Sequence, residues 1–154
     1  MAEIHPALTK GNVAVITGAA SGIGLAAAKR FAELGLCIVL ADLEGDALAD
    51  ACRAVAAIAE GGEADVTPIG TDVSQPDQLE SLERAVLQKY GRVHVLMNNA
   101  GIQPGSALFG PQANWDRVLG VNLMGVINGS RIFVPGMIAH GEPSLIINTG
   151  SKQG

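Results

Sequence analysis

Short apolar runs alternate with longer segments of helical period along almost the whole chain, and this alternation constrains the fold more than any other feature. Apolar runs that predict buried strands occupy residues 12–17, 36–41, 66–71, 93–97 and 144–149. Segments with apolar residues every three or four positions, which predict helices, are 22–35, 44–60, 75–90 and 113–140. This order predicts parallel strands joined by right-handed crossovers, with helices on both faces of the sheet. We therefore predict a doubly wound α/β domain with the strand order 3-2-1-4-5.

Single residues refine this prediction. Pro68 makes the third strand the weakest of the five, Ser74 is a plausible N-cap for the third helix, and Pro135 should kink the fourth. The apolar face predicted for the first helix consists of Ile23, Ala27, Phe31 and Leu34.

One domain is expected to span residues 1–154, because a chain of 154 residues that is 48% hydrophobic can bury a single sizeable core. Aromatic residues make up only 3%, so that core must consist of Val, Ile, Leu and Ala. The two cysteines, Cys37 and Cys52, show no metal or redox spacing and are expected to be reduced core thiols.

The charge pattern argues against two classes of partner. The formal net charge is −5 and no basic run occurs, so we expect binding neither to nucleic acid nor to an anionic membrane. Residues 1–10 lack the apolar segment of a signal peptide, and no stretch is expected to be long enough to cross a bilayer. We predict a soluble, cytoplasmic protein.

A glycine-rich turn, Thr17-Gly-Ala-Ala-Ser-Gly-Ile-Gly24, follows the first strand and opens the first helix. Gly18 allows a tight turn, Gly22 lets the backbone approach a pyrophosphate, and Gly24 lets the helix lie close to the sheet. A glycine-rich turn without a ligand is the alternative, which the strand–turn–helix context disfavours. The predicted cofactor-binding residues of this turn are Gly18, Ser21, Gly22, Ile23 and Gly24.

Asp42 ends the second strand, 18 residues after Gly24. A carboxylate there can accept hydrogen bonds from both hydroxyls of an adenosine ribose and would repel a 2′-phosphate. The residues that follow, Leu43 and Glu44, supply no cation for such a phosphate. We therefore expect Asp42 and Leu43 to contribute to a cofactor site that prefers NAD(H) over NADP(H), the alternative being a solvated carboxylate at a strand end.

Four motifs together resemble those of the short-chain dehydrogenase/reductase family. They are the Thr-Gly-x-x-x-Gly-x-Gly turn, Asn98-Asn99-Ala100-Gly101, Asn122 in its helix, and Asn148-Thr149-Gly150-Ser151. They occur in the family's order, each on the expected element, between Thr17 and Ser151. The resemblance implies a Rossmann-like fold, a nicotinamide cofactor and a homodimer or homotetramer. For the assembly, the small residues and apolar outer face of the helix around 122–140 suit close packing between subunits.

The resemblance also assigns roles within the site. It implies that Asp72 and Val73 contact adenine, although a turn-forming aspartate would look the same, and that Asn99, Ala100 and Gly101 contribute to the cofactor site. It further implies that the Ser151 hydroxyl binds the substrate oxygen and that Asn122 orders a water in a proton relay.

The family completes its relay with a Tyr-x-x-x-Lys motif, in which tyrosine transfers the proton. That motif is not among these residues, since the one tyrosine, Tyr90, belongs to an earlier helix facing the fourth strand, and Lys152 should be solvated. We expect residues 1–154 to be part of a longer chain that transfers hydride between nicotinamide and an alcohol or ketone. The alternatives are a non-catalytic NAD-binding or scaffold protein that ends at Gly154 and, more remotely, a methyltransferase-type nucleoside domain. The encoded sequence after Gly154 would discriminate between enzyme and binder.

The histidines and methionines carry no chemistry in this interpretation. His94 stands where the family usually has a carboxylate, and with His5 and His140 it is expected to be structural or superficial, with no metal site. Core-filling roles are predicted for Met97, Met124 and Met137.

Overall fold

The computed structural model describes residues 3–151, which form one parallel five-stranded sheet with helices on both faces. The strands are β1 Val13–Thr17, β2 Cys37–Asp42, β3 Val66–Gly70, β4 Val95–Asn98 and β5 Leu145–Asn148. Their order is β3-β2-β1-β4-β5, as predicted. The described part of β5 pairs only with β4 and is an edge of the sheet.

The helices follow the strands in the predicted alternation. They are α1 Gly22–Glu33, α2 Asp46–Ala56, α3 Pro76–Tyr90, α4 Gln112–Val118 and α5 Gly125–His140. Short 3-10 turns lie at Pro6–Leu8 and Gly62–Asp65. Successive residues of β1 face opposite layers: Ala14 and Ile16 pack with α1 and α2, whereas Val15 packs with α3 and α5. This two-sided burial explains why the strands are apolar runs rather than alternating ones.

The predicted long helix at 113–140 is divided by a π-helical turn, Leu119–Met124, between α4 and α5. Asn122 lies in this turn, and Pro135 lies inside α5. A π-helical turn widens the helix and often accompanies a functional site. Because one extra residue does not break the apolar pattern, the sequence did not indicate it.

The same helical run contradicts the expectation that no stretch of the chain is long enough to cross a bilayer. Gln112–Ala139 is 28 residues long and contains an 18-residue stretch with a mean hydropathy of 1.3, so by length and composition alone it could cross a membrane. Length and composition alone are weak evidence for a membrane-spanning helix. One side of α5 is buried against β4 and α3, as in a helix that covers a sheet. The residues of that side are Gly125, Asn128, Gly129, Phe133 and Met137.

Two predictions of buried side chains and one prediction of a helix cap were wrong. The Ile23 side chain is 67% exposed, because α1 is rotated so that Gly24 and Ala28 face the sheet. Met124 is 39% exposed, whereas Met97 and Met137 are buried as expected. Ser74 does not cap α3: Gln75 is the N-cap residue, without a side-chain capping bond.

His94 is a structural residue, as predicted. Its ring is buried, and Nδ1 accepts a hydrogen bond from Val13 N at 3.1 Å. Nδ1 is therefore unprotonated in this contact, so Nε2 carries the proton and donates to Glu142 at 2.5 Å. This hydrogen bond, together with the nearby Arg92 and His140, holds the pKa of Glu142 below its usual value. The cluster ties β1, β4 and the α5–β5 connection at the sheet end opposite to their carboxyl edge.

The two thiols are free and half-buried. Burial raises the pKa of both Cys37 and Cys52, and the nearby Asp65 adds to the effect on Cys37. A raised pKa disfavours the reactive thiolate, and the reduced state of both cysteines stays a prediction.

Candidate functional site

A cleft of about 630 Å³ opens at the carboxyl edge of the sheet, where the chain order reverses between β1 and β4. The parallel strands bring their carboxyl ends to one edge, so loops distant in sequence meet there. The predicted cofactor residues that line it are Gly18, Ser21, Gly22, Ile23, Asp42, Leu43, Asp72, Val73, Asn99, Ala100 and Gly101. Gly24 alone among the predicted set lies beneath the cleft, buried in α1.

The three glycines of the first turn have different surroundings, and each has its own reason for lacking a side chain. Gly18 has φ +64°, and a Cβ there would lie 2.7 Å from Ala100 Cα. A Cβ on Gly24 would lie 2.3 Å from the Gly18 carbonyl oxygen. Gly22, with φ +54°, starts α1 and has open space where a Cβ would be. That space lies beside the free N–H groups of a helix N-terminus, which is a favourable place for a phosphate.

The second asparagine of the Asn-Asn-Ala-Gly motif connects this turn to β4. Asn99 Nδ2 donates to the carbonyl oxygens of Thr17, at 3.1 Å, and of Gly18, at 3.2 Å. In return, Thr17 Oγ1 accepts from the backbone nitrogens of Asn99, at 3.0 Å, and Ala100, at 3.1 Å. The side chain of Asn99 therefore holds two walls of the cleft together.

Asp42 is held in place by two backbone donors. Its Oδ2 accepts from Ala20 N at 2.9 Å, and its Oδ1 accepts from Leu43 N at 2.8 Å. A carboxylate has about four acceptor positions, so each oxygen keeps capacity for a further donor. The side chain is half-buried on the cleft wall and is not the freely solvated carboxylate of the alternative interpretation.

Asp72 both forms a turn and lines the cleft, and its contact with adenine stays a prediction. Its Oδ1 accepts from Ser74 N at 2.9 Å and from Ser74 Oγ at 2.7 Å. The neighbouring Val73 is buried against Gly125, where an added Cβ would lie 2.8 Å from Val73 Cγ2.

The two predicted catalytic residues share a second, smaller recess of about 390 Å³. Ser151 and Asn122 both line it, and it borders the first cleft at Ile23, Asn99 and Gly101. A hydrogen bond from Asn98 Nδ2 to Asn148 Oδ1, at 2.9 Å, joins the ends of β4 and β5 behind this recess.

The side-chain amide of Asn122 holds the loop after β4. Its Oδ1 accepts from Ile102 N at 2.8 Å, and its Nδ2 donates to Ile102 O at 2.9 Å. Tyr90 is away from the recess, as expected, but its hydroxyl bonds Thr67 Oγ1 on β3 at 2.8 Å rather than facing β4. Lys152 lies outside the described residues.

Sequence reasoning missed part of the cleft lining. Arg117 and Val121 reach it from α4 and the π-helical turn, and Arg117 is the one cation on its wall among the described residues. Arg117 and Val121 are one helical turn apart, so the sequence indicates that they lie on the same side of a helix. It does not indicate that this helix, which is distant in sequence from the other lining residues, reaches the cleft. The other lining residues that were not predicted are Thr71, Ser74, Gln75 and Ile102.

Residues 12–154 match the sequence model of the short chain dehydrogenase family. The chain belongs to this family. It is 39% identical over 146 residues to the 3-oxoacyl-[acyl-carrier-protein] reductase of Thermotoga maritima, an alignment that covers 94% of this chain and 57% of the reductase. The chain spans about half the length of the curated relatives it matches.

Solved family structures carry both forms of the nicotinamide cofactor. A short-chain dehydrogenase/reductase from Burkholderia phymatum in complex with NAD is 44% identical, with a TM-score of 0.86, over 92% of this chain and 50% of that one. A metagenomic short-chain oxidoreductase in complex with NADP is 36% identical, with a TM-score of 0.84, over 94% of this chain and 64% of that one. These structures support a nicotinamide cofactor for the family member described here.

Proposed function

We propose that the cleft binds NAD(H) in preference to NADP(H), and that the whole protein transfers hydride between nicotinamide and an alcohol or ketone. The observation that carries the proposal is the Asp42 carboxylate, which two backbone N–H groups hold on the cleft wall. Its remaining acceptor capacity suits the two hydroxyls of an adenosine ribose, whereas a 2′-phosphate would meet a like charge.

The rest of the cleft fits the other parts of the cofactor. The open space at Gly22 and the N-terminus of α1 would take the pyrophosphate. Asn99 and Thr17 would keep the cleft walls at a fixed separation. The bound cofactor would supply the hydride chemistry. In the adjoining recess, the Ser151 hydroxyl would bind the substrate oxygen and Asn122 would support the water of the proton relay, as the family resemblance implies.

We expect a chain of these 154 residues to bind NADH but not to reduce a ketone with it. The cleft contains the cofactor determinants, whereas Tyr90, the one tyrosine in the sequence, is on the β3 side. NADH titration followed by fluorescence measures the binding, and loss of absorbance at the nicotinamide band with a panel of ketones measures the turnover. An absence of NADH binding would contradict the proposed function. Turnover above a protein-free control would show that another group donates the proton.

We extend the proposal to a homodimer or homotetramer. One side of the α4–α5 region is apolar and exposed: Leu119 is 47%, Leu123 50% and Ile127 39% accessible. Exposed apolar patches of this kind are typical of subunit interfaces. We keep the cytoplasmic location as a prediction.

Light scattering of the full-length protein at micromolar concentration should therefore give a mass of at least twice that of one chain. The double substitution Leu123→Glu and Ile127→Glu should shift the protein towards monomer, because it buries two charges in the interface. Gln88→Glu, on the exposed side of α3, is the control and should leave the mass unchanged. A monomeric wild-type protein would contradict the proposal.

A further inference from the structure

Two histidines meet where α5 is connected to β5, and both use Nδ1 as a hydrogen-bond acceptor. The ring centroids of His94 and His140 lie 5.2 Å apart. His94 accepts from Val13 N and His140 accepts from Glu142 N, each at 3.1 Å. A backbone N–H group only donates, so Nδ1 of each ring carries no proton in these contacts. Both imidazoles are therefore neutral in this structure.

The opposite ring nitrogens donate, and they attach both histidines to the connection between α5 and β5, residues 141–144. His94 Nε2 donates to Glu142 Oε2 at 2.5 Å. His140 Nε2 donates to the carbonyl oxygen of Val93 at 2.8 Å. The connection is thus held to the start of β4 through both imidazoles, and to the start of β1 through His94.

Glu142 and Arg92 are the charged side chains that face the two rings. They form an ion pair with each other, and both are partly exposed. The strands β1, β4 and β5 contain no titratable residue. Arg131 of α5 is exposed to solvent, and Lys89 and Tyr90 at the end of α3 bond to β3 instead. The protonation of the two rings therefore depends on few neighbours.

A proton added to either ring must go to Nδ1, because Nε2 already carries one. Nδ1 would then be a donor that faces a backbone N–H group, and both groups would lose their partner. At His94 this loss occurs in a site that is only 5% exposed. Glu142, whose pKa is held below its usual value, stays charged, but it offers only a partly exposed ion pair that Arg92 shares. Protonation therefore breaks contacts that hold residues 141–144.

We propose that His94 and His140 form an acid-sensitive latch, which holds residues 141–144 against the sheet while both rings are neutral and releases them when either ring takes up a proton. A histidine free of these contacts takes up a proton near pH 6.5, so the released state binds more protons than the latched state. The latched state is therefore favoured above about pH 6.5 and loses its advantage as the pH falls. At about pH 5.5 the loss is roughly 10-fold in the latching equilibrium for each histidine.

The latch acts on the second recess and not on the larger cleft. The connection that it holds leads directly into β5, and the described part of β5 pairs only with β4. Thr149, Gly150 and Ser151 follow β5 and line the second recess, whereas none of them lines the larger cleft. We therefore expect release of the latch to disrupt the recess and to leave the sheet from β3 to β4 intact. This inference holds whichever cofactor the cleft prefers.

Hydrogen exchange followed by mass spectrometry, at about pH 7.5 and about pH 5.5, tests the latch once the rates are corrected for the intrinsic pH dependence of amide exchange. In the wild type, the protection of residues 145–148 should fall roughly 100-fold at the lower pH, about 10-fold for each histidine. The protection of β2, Cys37–Asp42, should change by less than about 3-fold, because the latch does not contact this strand.

Asparagine variants remove the titration and keep an acceptor oxygen at the position of each Nδ1. The double variant His94→Asn and His140→Asn should keep its protection of residues 145–148 at the lower pH to within about 3-fold. His5→Asn is the matched control, because His5 Nδ1 also accepts from a backbone N–H group, that of Ala7 at 3.1 Å, but the residue is exposed. This control should show the same fall as the wild type.

The outcomes decide for or against the latch. If thermal unfolding shows that the double variant does not fold, His140→Asn alone should reduce the fall to about 10-fold, since one titrating ring remains. Unchanged protection of residues 145–148 in the wild type at the lower pH would overturn the proposal. So would an equal fall in the wild type and in the folded asparagine variant. A fall of the same size in β2 would mean that acid destabilises the whole sheet, and it would also overturn a local latch.

Discussion

Replacing Gly24 with alanine should cost about 2–3 kcal/mol of unfolding free energy and roughly 100-fold in NADH affinity. The new Cβ would lie 2.3 Å from the Gly18 carbonyl oxygen and 2.6 Å from Asn99 Nδ2. The first of these atoms belongs to the backbone, and the second is held by its hydrogen bonds to Thr17 and Gly18. Helix α1 must therefore move away from the sheet, and its N-terminus moves with it. Urea unfolding and NADH titration measure the two losses.

Gly136→Ala is the matched control for this prediction. It is also a helical glycine, in α5, but its added Cβ would meet nothing closer than Glu83 Oε1 at 3.7 Å, an ordinary contact. Alanine is the better helix former by up to about 1 kcal/mol, so the control should be neutral or slightly stabilising. If Gly24→Ala behaved like Gly136→Ala, the close packing of α1 on the turn would be wrong.

The second large effect is expected at Asp42. Asp42→Ala should weaken NADH binding by about 1.5–3 kcal/mol, because a charged acceptor for the ribose is lost. Adding Leu43→Arg should then admit NADPH, since the repulsion of the 2′-phosphate is removed and a cation is supplied. Leu43 is 63% exposed, so the longer side chain requires no repacking. Calorimetric titration with NADH and NADPH gives the preference directly.

Two controls separate cofactor recognition from loop structure. Asp42→Asn keeps the shape of the side chain but loses its charge, so it should retain more of the contacts to Ala20 and Leu43 than alanine does. Asp46→Ala removes the same charge from the first turn of α2, which does not line the cleft, and should leave the preference unchanged. An unaltered preference for NADH in Asp42→Ala with Leu43→Arg would contradict the role of Asp42.

The sequence alone was sufficient to predict the sheet order and most of the cleft wall. Both depend on regular features: the period of the apolar residues distinguishes strands from helices, and parallel strands end at one edge. Asp42, at the end of β2, could therefore be placed at the site without knowledge of any contact, whereas Asp72 was assigned to it by the family resemblance. The glycines could be placed in the same way, because their spacing reflects demands of the local backbone.

Only the tertiary structure decided which partners the polar side chains have. Asn122 bonds Ile102, Ser74 bonds Asp72, and His94 bonds Val13 and Glu142. Arg117 and Ile23 line the cleft for a related reason, since the rotation of each helix on the sheet determines where its side chains point. The apolar period indicates which side of a helix is buried to within about one residue, and one residue on a helix is a rotation of about 100°. The contacts that single atoms make depend on that rotation. They are therefore determined by the packing of whole helices and strands and not by the local sequence pattern.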